Sequence, residues 1–427
     1  MKLQALLVHC LKKVMAVDIG HQSPGRIRDR KGACFLNRLS LSHVNRYLLL
    51  QTALVLTMFC LFTGTPVLGV EVEAPADYLI SLVRHGDRSP RDLGGMAKYW
   101  PMGPGQLTAA GLEQEYLLGK EIRRYYFSET IPDFWSPKIS QHFAKGLDRT
   151  IQSASALLQG FYPGQVGNTG LPGGIQVPPV YASPLAHDDL FSAQRLCPGY
   201  FHRVQALEKS ADWLRKKEQH RDQLAFWIEL GESEGTGDLY SFLPLIDRIA
   251  IHRIHHLPMP EDISSQEAVG LEELLHWIVS RIVANYEIAQ LIGAPLAKAM
   301  IKDFRRVQQC LEEQGSCHSC QRWTLYSASD SNLLAIMTML GAPSEKMVDY
   351  ATHFGVQLNW NGGRPEVALS LNHKPFSVPG CIGRCSLDQW LFLLERSLPD
   401  DWDYLCAKES RGMNFTPYVP TGSVASR

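Results

Sequence analysis

Neither sign of charge is in excess: 42 Lys and Arg stand against 43 Asp and Glu, a formal net charge of −1. A chain with no basic surplus gives no compositional reason to expect nucleic acid as a partner. No internal repeat is visible, and at 45% hydrophobic and 20% charged the 427 residues fit an ordinary globular protein of one to three domains. Acidic residues are scarce at the start, where only Asp18 and Asp29 precede Glu71 while nine Lys or Arg fall in the first 46 positions. That basic extension, 1–46, is predicted not to fold with the rest.

Charge is then missing altogether from Tyr47 to Val70, 24 residues with a basic flank on the N-terminal side. This is long enough to span a bilayer, and the positive side stays cytosolic, so the bulk of the chain is expected in the lumen or outside the cell. Pro66 and Gly69 resemble the end of a cleavable signal, but the lead-in is long for one. Both a cleaved signal and a retained signal-anchor over 47–70 remain open, and either implies the secretory pathway. Of ten cysteines, Cys10, Cys34 and Cys60 lie in or before that segment. The other seven, an odd number, cannot all pair within one chain, although an oxidising lumen favours pairing. The run "CLEEQGSCHSC" invites a zinc reading with His318. A structural zinc site usually shows two well-spaced ligand pairs, so one local disulfide among Cys310, Cys317 and Cys320 plus an odd thiol is expected instead. Asn414-Phe415-Thr416 is a glycosylation sequon, followed directly by Pro417.

From Asp77 the pattern is that of an α/β domain. "DYLISLV" is a β-leaning run that delivers Arg84 and His85 at its carboxyl end, where open α/β sheets bind ligands. The loop "WPMGPGQLT" leads into a helix capped by Thr108, with Leu112, Tyr116, Ile122 and Tyr126 at helical spacing. "LDRTIQSASALLQGFYPG" predicts a loop entering a second helix, and "GLPGGIQVPPVYASP" turn-rich chain with a short strand. Residues 200–303 carry long amphipathic stretches and few strand signals, and read as a helical insert. "RWTLYSASDSNLLAIMTMLG" restores strand, turn and helix, and "VQLNWNGGRPEVALSLN" is a hairpin turning at Asn361-Gly362.

The chemistry concentrates in "LVRHGDRSP". Arginines are fixed cations with planar forks suited to phosphate oxygens, and a neutral imidazole nitrogen is a nucleophile. An isolated Arg-His-Gly is a weak signal. The preceding strand, the glycine that lets a ligand approach the backbone, and Arg88 four residues after Arg84 sharpen it.

"RHGDRSP" resembles the signature of the histidine acid phosphatases, the branch of the phosphoglycerate-mutase-like fold that includes the prostatic, lysosomal and testicular types. "WPMGPGQLTAAG" resembles a further family segment, with Trp100, Pro101, Gly103, Gly105, Gln106, Leu107 and Thr108 in register. "LDRTIQSA" is similar to the segment bringing a third phosphate-binding arginine, here Arg149, and "VPGCIGRCSLDQWLFLLERSLPDDWDYLC" to the closing stretch of animal secretory members. The resemblance spans about Asp77 to Cys406. It implies a three-layer α/β sandwich over 77–199 and 304–406, a smaller helical cap domain at 200–303, and a homodimer; beyond it, 407–427, ending in "TPYVPTGSVASR", reads as a flexible tail. It implies acid phosphatase chemistry on phosphomonoesters, small or phosphoprotein: His85 forms a phosphohistidine while Arg84, Arg88 and Arg149 hold the phosphoryl oxygens, with no cofactor or metal. Three nearby cations should lower the His85 pKa and keep it nucleophilic in mild acid.

The family's proton donor is the aspartate of a His-Asp pair after a later strand. Here "LYSASDSNLL" supplies Asp330 but has Ser329 in place of the histidine. On bare sequence Asp330 is as readily a helix N-cap; the register makes it the acid. The missing imidazole would have given the phosphoryl group a charge-assisted hydrogen bond of roughly 1.5–3 kcal/mol, about 10- to 200-fold in rate. A weakened or substrate-shifted phosphatase is therefore expected, and a catalytically silent protein that binds phosphorylated ligands is the alternative. A second pair, His187-Asp188, lies in turn-like chain and is expected to be a solvated loop or cap. Phe143, Ala144 and Lys145 replace an Arg-Ser-Thr stretch of prostatic and lysosomal members, implying a different pocket wall. By the same resemblance Cys381 pairs with Cys385 and Cys197 with Cys406, while His353 occupies one place of a third family disulfide.

Overall fold

The computed structural model describes residues 75–162, 164, 171, 174–229, 238–259, 263–314, 319–361 and 363–407. The basic extension, the uncharged segment 47–70, Cys317 and His318, the sequon at Asn414 and residues 408–427 lie outside them. Among the described residues no helix is long and apolar enough to cross a membrane.

Strand β1, Tyr78–Arg84, is buried at every position, as a strand covered on both faces must be, and its continuous apolar run reflects this. It lies between β3, Trp323–Ala328, which is parallel to it, and β4, His353–Asn361, which is antiparallel. Strand β2, Ser140–Ala144, adds parallel to the far side of β3. Beyond β4 follow β5, Arg364–Leu371, and then β6, Lys374–Phe376, while β7, Arg384–Ser386, also pairs with β5, all antiparallel. The order is therefore β2-β3-β1-β4-β5-β6. The predicted hairpin is β4 and β5.

One face of the sheet, through Leu79, Val83, Trp323 and Leu325, packs on helices α1, Ala109–Ile122, and α2, Asp148–Phe161. The other face, through Tyr78, Ile80, Leu82, Tyr326 and Phe354, packs on a larger helical layer. That layer comprises α3, Pro198–Glu208; α4, Ala211–Gln219; α5, Arg221–Glu229; α6, Leu243–Ile254; α7, Ser265–Val283; α8, Tyr286–Gln314; α9, Asp330–Met339; and α10, Leu387–Ser397. The helices after residue 197 thus share one hydrophobic core with the sheet. Cys197, at the start of α3, is bonded to Cys406 in α11, Trp402–Ala407; Cys381 is bonded to Cys385, and Cys310 to Cys320.

Thr108 caps α1 as expected, its side chain accepting from the Gly111 amide. Of the four positions at helical spacing, Ile122 and Tyr126 are buried and the other two are not. Leu112 and Tyr116 are exposed, and the buried positions are Gly111, Glu115, Leu118, Gly119 and Ile122. Two glycines allow this, because the backbones of α1 and α2 touch: a Cβ on Gly119 would stand 2.0 Å from the Leu157 carbonyl oxygen, and one on Gly160 1.9 Å from that of Tyr116. Helix propensity alone predicts that Gly119→Ala stabilises by about 1 kcal/mol. Separating two packed backbones outweighs this, and a net loss of about 1–3 kcal/mol is expected by urea denaturation. A gain in stability would show that the close helix contact is absent.

Candidate active site

Three neighbouring parallel strands end within one residue of each other: Arg84 of β1 opposes Ala328 of β3, and Ala144, the last residue of β2, opposes Ser327 of β3. The next residue along each is His85, Ser329 and Lys145 respectively. Their ladder continues one step past the strands, His85 N–H donating to Ala328 O at 3.0 Å and Lys145 N–H to Ser327 O at 2.9 Å. Parallel pairing thus delivers three polar side chains to one edge of the sheet, the carboxyl edge at which α/β folds bind ligands.

His85 is buried, and its Nδ1 lies 2.8 Å from the Gly86 carbonyl oxygen. A carbonyl can only accept, so Nδ1 bears the proton and Nε2 the free lone pair. Burial first, then Arg149, Arg84 and Arg88, hold the ring well below the usual histidine range. Gly86 has a role different from the one expected of it. A Cβ there would sit 2.4 Å from Gly111 O, so its bareness admits the N-terminal turn of α1 rather than a ligand. Its amide donates to Ser153 Oγ at 3.1 Å, fixing the loop from behind.

The cations differ in how they are held. Arg88 is clamped by Asp247, whose two oxygens lie 3.0 and 2.8 Å from Nη1 and Nη2, and Arg91 reaches the same carboxylate at 3.6 Å. Burial raises the Asp247 carboxyl, but Arg88 and Arg91 outweigh it and keep the group well below the ordinary carboxylate range. Arg84 pairs with Asp330 at 3.2 Å, donates to Val348 O, and lies 4.2 Å over the ring of Tyr350. Arg149, on the first turn of α2, has no carboxylate partner among the described residues; Nη1 donates to Gly105 O at 3.4 Å and Nε is buried without a bond. Burial, then Arg88 and Arg91, bring it down to about 9, so it remains charged at neutral and acid pH.

Asp330 is not the cap of its helix. Ser329 takes that position, its N–H and Oγ donating to Asn332 Oδ1 at 3.4 and 2.8 Å, and Asp330 becomes the first helical residue with its carboxylate turned to Arg84. Burial pushes that carboxyl up, but Arg84 and Arg88 outweigh it and hold it below its ordinary value. The expected set of Arg84, His85, Arg88, Arg149, Ser329 and Asp330 is therefore brought to one edge of the sheet. Asp188 lies elsewhere in role. It is buried rather than solvated, accepting from the Gly146 and Phe191 amides at 3.0 and 3.1 Å, while His187 is exposed.

Sequence reasoning missed Asp247, Tyr350 and the contact of Lys145, whose Nζ lies 3.1 Å from Ser329 Oγ. Asp247 did leave a signal: it is the one acidic residue in the largely apolar helical run "FLPLIDRIAIHRI", and a carboxylate buried there requires a partner. Among the described residues no three of His, Cys, Asp and Glu gather as a metal-binding group.

Residues 77–357 match the family model of the histidine phosphatase superfamily (branch 2). The chain is similar to the testicular acid phosphatase of Mus musculus, 27% identical over 365 residues that cover 77% of this chain and 81% of the relative. It is 25% identical over 344 residues to the prostatic acid phosphatase of Homo sapiens, covering 77% and 87%, and 27% identical over 357 residues to the lysosomal acid phosphatase of Bos taurus, covering 77% and 79%. Among solved structures, the fold is like that of the Hafnia alvei phytase in complex with tartrate, with a TM-score of 0.54, 15% identity, and coverage of 78% of this chain and 98% of that one. With the family pattern matched over most of the chain and the strand-end histidine among its arginines in place, this protein belongs to branch 2 of the histidine phosphatase superfamily.

Proposed function

We infer that the chain is a phosphomonoesterase working through a phosphohistidine at His85 in the secretory or lysosomal lumen, the route suggested by its lysosomal and prostatic relatives. The observation behind this reading is a buried, Nδ1-protonated imidazole among Arg84, Arg88 and Arg149. Nε2 attacks phosphorus as the ester P–O bond breaks, and the arginines neutralise charge on the three equatorial oxygens. The leaving alkoxide takes a proton from Asp330. In the second step Asp330, now ionised, takes a proton from the water that breaks the P–N bond, releasing phosphate.

In the ligand-free site Asp330 is held ionised by Arg84, and a donor must first be protonated. An arriving phosphate dianion competes for Arg84 and Arg88 and brings negative charge beside the carboxylate. Both effects raise its proton affinity, so substrate itself loads the acid. Ser329, which offers no cation, favours the second reading, a phosphate-binding protein with little turnover. Turnover of p-nitrophenyl phosphate by the full chain separates the two. The first reading expects His85→Ala to lose more than about 10³-fold in kcat. It also expects the wild-type rate to hold as pH falls from 6.5 to 5, because the nucleophile stays unprotonated below the ordinary histidine value. Equal rates for wild type and His85→Ala would leave only the binding role.

Asp247 supports the same reading from the helical layer by holding Arg88 in place. Its folded carboxyl is depressed, so its stabilisation is fully present above the unfolded value of about 4, declines as pH falls below that, and is gone once pH has fallen through the much lower folded one. The clamp therefore persists throughout the mildly acid range. Asp247→Ala should cost about 3–5 kcal/mol in urea denaturation at pH 5, because it strands a buried guanidinium. A cost below about 1 kcal/mol would mean that the clamp is solvated.

A further inference from the structure

We propose that Lys145 is a fourth phosphoryl-binding cation of this site, occupying from strand β2 the place that Ser329 leaves without charge. This assignment rests on the phosphatase reading for the reaction that it serves, but not for the binding that it predicts. The first argument is position. Lys145 is the first residue past β2, as His85 is past β1 and Ser329 past β3; β2 stops one row short of the other two, so Lys145 stands level with Ala328 and its long side chain reaches forward to Ser329.

The second argument is the company its ammonium keeps. Lys145 is 6% exposed, and Nζ meets two neutral oxygens, Ser329 Oγ at 3.1 Å and Asn332 Oδ1 at 3.5 Å. No carboxylate of the described residues pairs with it. A buried ammonium satisfied only by dipoles is costly unless an anion completes its shell. Arg149, equally unpaired, acts electrostatically on both Lys145 and His85, so any anion drawn by one cation lies in the field of the other.

The small side chain at 329 is what makes the contact feasible. Ser329 Oγ accepts from Lys145 while donating to Asn332 Oδ1, and Asn332 Nδ2 is anchored on Phe191 O at 3.0 Å. This chain of bonds aims the ammonium at the start of α9, where Asp330 begins. The groups facing Lys145 are Arg149 and Arg195, which oppose its charge, and Asp188 and Asp330, which favour it. Burial first, then Arg149, bring it down to about 8, so it is charged throughout the acid range and loses its charge only as pH rises through about 8.

The test is calorimetric binding of inorganic phosphate to the full chain at pH 5.5, with p-nitrophenyl phosphate turnover measured alongside. Lys145→Met keeps the length and apolar stem, and circular dichroism melting checks that it folds. Phosphate affinity should fall roughly 10- to 200-fold, the range for one charge-assisted bond. Lys145→Arg should bind within about 10-fold of wild type, and adding Ser329→His to Lys145→Met should recover most of the affinity. A Lys145→Met chain that binds phosphate as wild type does, or a wild type that binds none, would overturn the assignment. Should phosphate binding depend on Lys145 while wild type and His85→Ala turn over alike, the assignment stands and the hydrolytic reading falls.

Discussion

The site depends on one constraint: several permanent positive charges are gathered around a ring that must remain uncharged. Each cation lowers the basicity of His85, and burial adds to the effect, so the same crowding that prepares a phosphate site keeps the nucleophile free. Crowded cations repel, and the fold meets this unevenly. Arg88 is neutralised by Asp247 and Arg84 by Asp330, whereas Arg149 and Lys145 are left with dipoles alone. The two paired arginines are thereby positioned in advance, and the two unpaired cations retain an unsatisfied demand for an anion.

The sheet makes this gathering possible. Parallel strands leave their carboxyl ends on one side, and the register of β2, β3 and β1 sets three successive polar residues on that edge. What closes the edge comes from both layers. Helix α1 approaches so closely that Gly86 and Gly111 touch backbone to backbone, and α6 contributes Asp247 from the opposite layer. The site is therefore shared between two hydrophobic cores, and a displacement of either helical layer would move an arginine away from the imidazole.

Much of this was legible in the chain itself. The strand into Arg84, the cap at Thr108, the helix after Asp330 and the hairpin at Asn361 follow from local patterning, which short-range physics dictates. The errors arose where contacts are distant or glycine is involved. Helical spacing groups Leu112 and Tyr116 with Ile122 and Tyr126, yet with α1 touching α2 through Gly119 and Gly160 the later pair is buried and Leu112 and Tyr116 stay outside. Asp247 lies 159 positions from Arg88, and no spacing rule connects them. Lys145 was visible only as a departure in a pocket wall, because its meaning depends on a serine 184 residues away.

The central claim is the protonation state of one ring, and nitrogen-15 NMR of histidine-labelled protein, titrated from pH 7.5 to 5, reads it directly. The account predicts that the His85 ring, assigned by its loss in His85→Ala, keeps Nδ1 protonated and Nε2 bare down to at least pH 5.5. A ring that takes up its second proton near pH 6.5, or that carries its single proton on Nε2, would contradict it.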